Sequence, residues 1–244
     1  MFTSDFGKGF GNALVSTARG TGFVFKVYVF FFLLLFSNIC LEGQTGEALV
    51  DARISRVKQL VKQGKPDEAV KFLQEWEVKT PNDAALKFWL GKVFYQQGKY
   101  QEAIGKLTVS LPKLEKTTAD YKEAVQMLGL SHYVLGHLAE SIPYFEQIVK
   151  WAPENNEINY ALGISYIQTR QPAKSREVYA RLFGVVVNSA AAYLLNAQMH
   201  VRQRFEETAE IELIQALKLD AKLPQANFVL GELAVYRAEI DKGI

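Results

Sequence analysis

From Glu47 onward, apolar residues recur at helical spacing. Leu49, Ile54, Val57, Leu60 and Val61 fall largely on one face before Gly64 stops the run. Pro66 and Asp67 suit the first turn of a second helix whose apolar face is Ala69, Val70, Leu73 and Trp76. Pro81-Asn82-Asp83 then ends that helix and caps the next. The alternation continues with a helix from Ala84 to Gln97, a turn at Gly98-Lys99, and a helix from Tyr100 through Ala103, Leu107 and Leu111. Further pairs turn at Gly136 and at Arg170-Gln171-Pro172, and another starts after Asn188-Ser189. A last one opens at Pro224 and is cut off at Ile244. The expected units are about 50–83, 84–121, 122–155, 156–189, 190–223 and a truncated 224–244, so the predicted class is all-α.

A dipeptide sets the register. Leu90-Gly91, Leu128-Gly129, Leu162-Gly163 and Leu230-Gly231 are separated by 38, 34 and 68 residues, the last being two periods of 34. The four extra residues of the first interval fall in the linker Glu115-Lys116-Thr117-Thr118. Two series of small residues repeat with the same period. First helices carry Gly91, Gly129, Gly163, Ala197 and Gly231, and second helices carry Ala69, Ala103, Ser141, Ser175, Ala209 and Gly243. Close crossing of two helices needs such small side chains at the contact. The chain is therefore expected to stack as repeated helix pairs rather than fold around one globular core.

These residues resemble the tetratricopeptide repeat family, with the best correspondence in 90–115 and 128–153 and a total span of about 47–244. The family tryptophan is absent from its slot, where Lys87, Val125, Asn159 and Tyr193 stand, and Arg170 and Arg204 displace the turn glycine. The resemblance implies a right-handed α-solenoid whose first helices line a concave groove for peptides or partner proteins. It does not extend to the clamp that grips a carboxy-terminal carboxylate in chaperone adaptors, because Ile54, Phe88 and Gln126 stand where that clamp needs polar donors.

The first helices carry a second stripe beside the one that packs. It comprises Phe88, Lys92 and Tyr95, then Gln126, Leu130 and Tyr133, then Tyr160, Ile164 and Ile167, then Leu194, Gln198 and Val201, with Gln96 and Arg202 alongside. By analogy with the family this stripe faces the groove. Two readings stand: burial between neighbouring first helices, or an apolar, aromatic surface for a protein or peptide partner.

Catalysis has little to work with. The three histidines, His132, His137 and His200, do not cluster in sequence, and Glu206, Glu207 and Glu210 read as a solvated helix face. Each glycine is accounted for by a helix end or a close crossing, so no phosphate-binding loop is seen. No catalytic residue, cofactor, metal or small-molecule substrate is expected. From Glu47 onward 25 Lys and Arg stand against 24 Asp and Glu, which leaves no basic surplus for nucleic acid. The single cysteine, Cys40, cannot form an internal disulfide.

Val27 to Ile39 is an apolar run broken only by Ser37 and Asn38. Lys8, Arg19 and Lys26 precede it, and Glu42, Glu47 and Asp51 follow. That bias fits an amino-terminus kept inside and a repeat region moved across a membrane to the periplasmic side. The segment at 23–43 reads as a cleaved signal peptide, an uncleaved signal anchor or a buried core element, preceded by a disordered stretch at 1–22. The expected function is a noncatalytic, exported or anchored interaction scaffold, with the membrane as a second partner if the segment is uncleaved. The alternative is a recruiting region of a larger envelope enzyme whose catalytic domain lies beyond this chain.

Overall fold

The computed structural model describes residues 50–243, with side chains through Ala238. The expected amino-terminal stretch at 1–22 and the signal or anchor segment at 23–43 lie outside the described residues. The chain divides into two units at Gln59/Leu60. Helix α1, at 50–62, begins in the first unit and runs past that boundary. The second unit contains α2 (Pro66–Lys79), α3 (Ala84–Gln96), α4 (Tyr100–Ser110), a 3-10 turn (Leu111–Lys113), α5 (Ala119–Val134), α6 (Leu138–Trp151), α7 (Asn156–Gln168), α8 (Pro172–Leu182), α9 (Ala190–Arg202), α10 (Glu206–Leu219) and α11 (Pro224–Gly243). All described regular structure is helical. The 3-10 turn and the loop after it take up the four residues that lengthen one period to 38.

Odd- and even-numbered helices start in different ways, and the sequence explains both. α3, α5, α7 and α9 open on a side-chain cap. Asp83, Thr118, Asn155 and Ser189 accept from the backbone N–H groups of Leu86, Tyr121, Ile158 and Ala192 at 3.1, 3.2, 3.1 and 3.2 Å. α4, α6, α8 and α10 lack that cap and follow a left-handed residue instead. Gly98, Gly136, Arg170 and Arg204 have φ of 71°, 76°, 59° and 60°. Each turn is closed by an N–H that reaches back to the preceding helix. Lys99 donates to Phe94, His137 to His132, Gln171 to Tyr166 and Phe205 to His200, at 2.9, 2.8, 2.8 and 2.9 Å. The arginines that displace the turn glycine thus keep its backbone conformation.

Each helix of the second unit packs on the next. α3 also meets α5, and α9 meets α11, whereas α5 with α7 and α7 with α9 pack less closely. Within a pair, the glycine slot decides how near the helices come. A Cβ on Gly91 would lie 2.5 Å from Leu107, one on Gly129 3.0 Å from Phe145, and one on Gly163 2.4 Å from the Tyr179 ring. Gly231 departs from the expected series. Nothing among the described residues lies within 4 Å of a Cβ placed there, and α11 runs unbroken through Gly243 instead of turning back on itself. Gly243 is consequently in the same helix as Gly231 and not in a second one.

Candidate functional site

The second stripe of the first helices is divided by burial. Phe88 and Ile167, expected in the groove, have no exposed surface and are structural instead. Phe88 packs edge-on against Trp89 with ring centroids 5.8 Å apart, and the Lys92 ammonium lies over it. Ile167 is held in a cluster with Tyr179 and Met199, where α8 and α9 close over it. Lys92 is not a free polar contact either. Its ammonium sits 2.7 Å from Glu123 of α5 and 4.8 Å from the Trp89 ring centroid, and so bridges α3 to α5.

The remaining positions keep some surface. Tyr95, Leu130, Tyr133, Ile164, Leu194, Gln198 and Val201 are half-buried, while Gln96, Gln126, Tyr160 and Arg202 are exposed. Two sets of them come together. Leu130 and Tyr133 of α5 line a depression of about 640 Å³ with Glu157 and Tyr160 of α7 and Phe183 at the end of α8. Gln198, Val201 and Arg202 of α9 line a second, of about 520 Å³, with Phe228 and Glu232 of α11. Tyr95, Gln96, Gln126, Ile164 and Leu194 line neither.

Sequence reading missed Glu157, Phe183 and Phe228. The period held a signal for two of them: Glu157 follows Glu123 by 34 residues and Phe228 follows Leu194 by 34. Phe183 lies in the connection after α8 and has no repeat signal, yet it is 54% exposed.

Two phenols, Tyr133 and Tyr160, line the first depression, and a third packs behind Tyr160. Tyr179, fully buried beneath Gly163, packs edge-on against Tyr160 with ring centroids 6.0 Å apart, and its hydroxyl has no hydrogen-bond partner among the described residues. Burial raises its pKa, and the nearby Tyr160 and Tyr133 hydroxyls raise it further. Burial likewise raises that of Tyr133, with Tyr160 adding to the effect. Both therefore remain neutral phenols with oxygen lone pairs at physiological pH.

One expectation about the histidines is corrected. The five-residue spacing of His132 and His137 spans the helix end and the turn, which brings their rings to 5.8 Å, and His132 stacks on Tyr144. No third ligand joins them: among the described residues no group of three or more His, Cys, Asp or Glu could hold a metal ion. His200 is buried in α9, its Nδ1 2.8 Å from the Asn196 carbonyl.

Helix pairs with left-handed turns and close glycine crossings define a helical repeat protein. The tetratricopeptide repeat profile matches residues 55–114 and 127–185. The chain is a tetratricopeptide repeat protein. Among solved structures it is similar to YrrB, a TPR protein with an unusual peptide-binding site, at 16% identity over 73% of this chain and 90% of that one, with a TM-score of 0.51. It is also similar to MamA from Desulfovibrio magneticus RS-1, at 21% identity over 71% of this chain and 96% of that one, with a TM-score of 0.49. No curated protein matches the sequence.

Proposed function

We propose that the repeat region is a noncatalytic scaffold that binds a segment of a partner protein along its first-helix face. The observation that carries this reading is the depression between α5 and α7, where Tyr160 and Phe183 are 37% and 54% exposed although neighbouring aromatics are buried. Large rings left in water at a concave place are surface that the stack itself does not need. Covering one such ring contributes on the order of 1.5–3 kcal/mol, so a few contacts reach micromolar affinity. The fold adds support, because YrrB, a solved protein of similar architecture, has a peptide-binding site.

Photocrosslinking tests the reading. A benzophenone side chain placed at Tyr160 or Phe183 is expected to capture a discrete partner in cells, and one at Val109, an exposed position on the second helix α4, is not. Equal capture from all three positions rejects the groove.

We propose further that the repeat region is exported or membrane-anchored, on the strength of the apolar run Val27–Ile39 and its flanking charges. Among the described residues no helix is long and apolar enough to cross a membrane. Fractionation with protease protection checks this. Recovery of a tagged chain wholly in soluble cytosol would reject it.

A further inference from the structure

Successive gaps between first helices can be compared position by position, because the repeat aligns them. In the gap between α3 and α5, Lys92 stands two residues after Leu90 and pairs at 2.7 Å with Glu123, which stands five residues before Leu128. Its ammonium also lies over the Trp89 and Phe88 rings, at 4.8 and 5.8 Å. A cation held by a carboxylate and aromatic faces fills that gap.

In the next gap, between α5 and α7, the carboxylate recurs and the cation does not. Glu157 stands five residues before Leu162, as Glu123 does before Leu128, and Leu130 stands two after Leu128, where the register of Lys92 falls. Leu130 and Glu157 line the same depression, with Tyr133, Tyr160 and Phe183 as its aromatic surfaces and no Lys or Arg in its lining. Glu157 makes no ion pair among the described residues. The gap after that keeps neither group, since Ile164 and Ala191 stand at the two positions.

We propose that the depression between α5 and α7 is a seat for a lysine or arginine side chain of the partner segment, which occupies the place that Lys92 fills one repeat earlier. The seat rests on the groove reading given above and adds the chemistry of the anchor. The aliphatic stem lies along Leu130 and Leu182, and the charged head reaches the phenol faces and the Glu157 carboxylate. An apolar anchor would cover Glu157 without compensating its charge, and an acidic one would meet a like charge. Tyr133 and Tyr160, which line the depression, add phenol oxygens to the same place.

Peptide display on the full chain, held in mild detergent, tests the seat with a random-sequence library as the probe. The wild type is expected to enrich peptides with Lys or Arg at one fixed anchor position. Replacing that anchor by norleucine in a synthetic winner is expected to weaken binding about tenfold or more, and added salt to narrow the difference. Leu130→Lys supplies the chain's own cation, as Lys92 does in α3, and is expected to abolish the basic preference while weaker binding along the groove persists. Glu157→Gln, at an exposed position, is expected to do the same, and it carries the test alone if Leu130→Lys does not fold by circular dichroism. Selection of peptides with no basic anchor, or a basic preference that survives these variants, overturns the seat and leaves the groove reading standing. Selection of no peptide at all by the wild type overturns both.

Discussion

Arg176 of α8 and Glu212 of α10 face each other across α9, with the guanidinium 2.9 Å from one carboxylate oxygen and 3.1 Å from the other. Their side chains are only 13% and 6% exposed, and the guanidinium carbon lies 4.1 Å from the Tyr193 ring centroid. Asn196 joins them from α9. Its Nδ2 donates to Glu212 at 2.9 Å and to the Pro172 carbonyl at 3.1 Å, and its Oδ1 accepts from Ser175 at 2.7 Å. Neighbouring repeats are thus tied by a buried polar network where a larger apolar contact could have stood.

Breaking one side of that pair strands the other charge away from water. Glu212→Ala is expected to lower stability by about 3–5 kcal/mol. The double variant Arg176→Met/Glu212→Leu is expected to recover most of the loss, because no charge is left buried. Urea denaturation of the two variants checks this. A double variant no more stable than Glu212→Ala would mean that packing, and not charge, is what Glu212 supplies.

The arginine turns store backbone strain. Arg204 has φ of 60°, a conformation that disfavours any residue with a Cβ, so Arg204→Gly is expected to stabilise by about 0.5–1 kcal/mol and raise Tm by about 1–4 °C. Arg170→Gly is expected to gain less, because the Arg170 guanidinium lies 5.6 Å from the Phe205 ring centroid and that contact is lost. Differential scanning calorimetry of both variants ranks them, and the reverse order would show that the stacking is worth nothing.

Two glycines of one register should respond in opposite ways to the same methyl group. Gly163→Ala would place a Cβ 2.4 Å from the Tyr179 ring, so it forces the pair apart and is expected to cost about 1–3 kcal/mol. Gly231→Ala meets nothing within 4 Å and is expected to stabilise by up to about 1 kcal/mol through helix propensity alone. Thermal melts followed by circular dichroism at the helix band decide both.

Acid should loosen the fold through its buried imidazoles. Burial holds His200 below its ordinary value of 6.5, against the opposing pull of its hydrogen bond with the Asn196 carbonyl and of the Glu212 carboxylate. Burial also lowers His132, with His137 adding to the effect and Glu140 opposing it. The unfolded chain therefore takes up these protons at a higher pH than the folded one does. Stability is full above about pH 7 and declines as pH falls through 6.5, with a slope from His200 of at most about 1.4 kcal/mol per pH unit. Tm measured from pH 8 to 5 checks the sign. His200→Gln is expected to flatten the decline, and an unchanged slope would remove His200 as its source.

The repeat was legible because its signals are local: an apolar period, a left-handed turn and a small residue where helices cross. Arg170 and Arg204 could be placed in turns even without glycine, since the register either side predicted them. Burial of the second stripe was not legible. Phe88 and Ile167 have the same spacing as Tyr95 and Tyr160, but whether a neighbouring helix covers them depends on how far successive pairs spread, and no single segment encodes that distance. The spacing of Lys92 puts it in the groove stripe, and nothing local shows that it pairs with Glu123, 31 residues away. The same blindness hid Glu157, whose meaning appears only when two gaps are compared.

The glycine crossings also have a mechanical consequence. With Leu107, Phe145 and Tyr179 seated against Gly91, Gly129 and Gly163, each pair behaves as a stiff element, and the array's compliance is concentrated in the joints between pairs. The joint between α3 and α5 is tied by Lys92 and Glu123, whereas the joints between α5 and α7 and between α7 and α9 rest on the packing of α6 on α7 and of α8 on α9. Extension or bending of the array is therefore taken up between pairs, so a load on the chain is felt as a change in the width of the gaps between successive first helices.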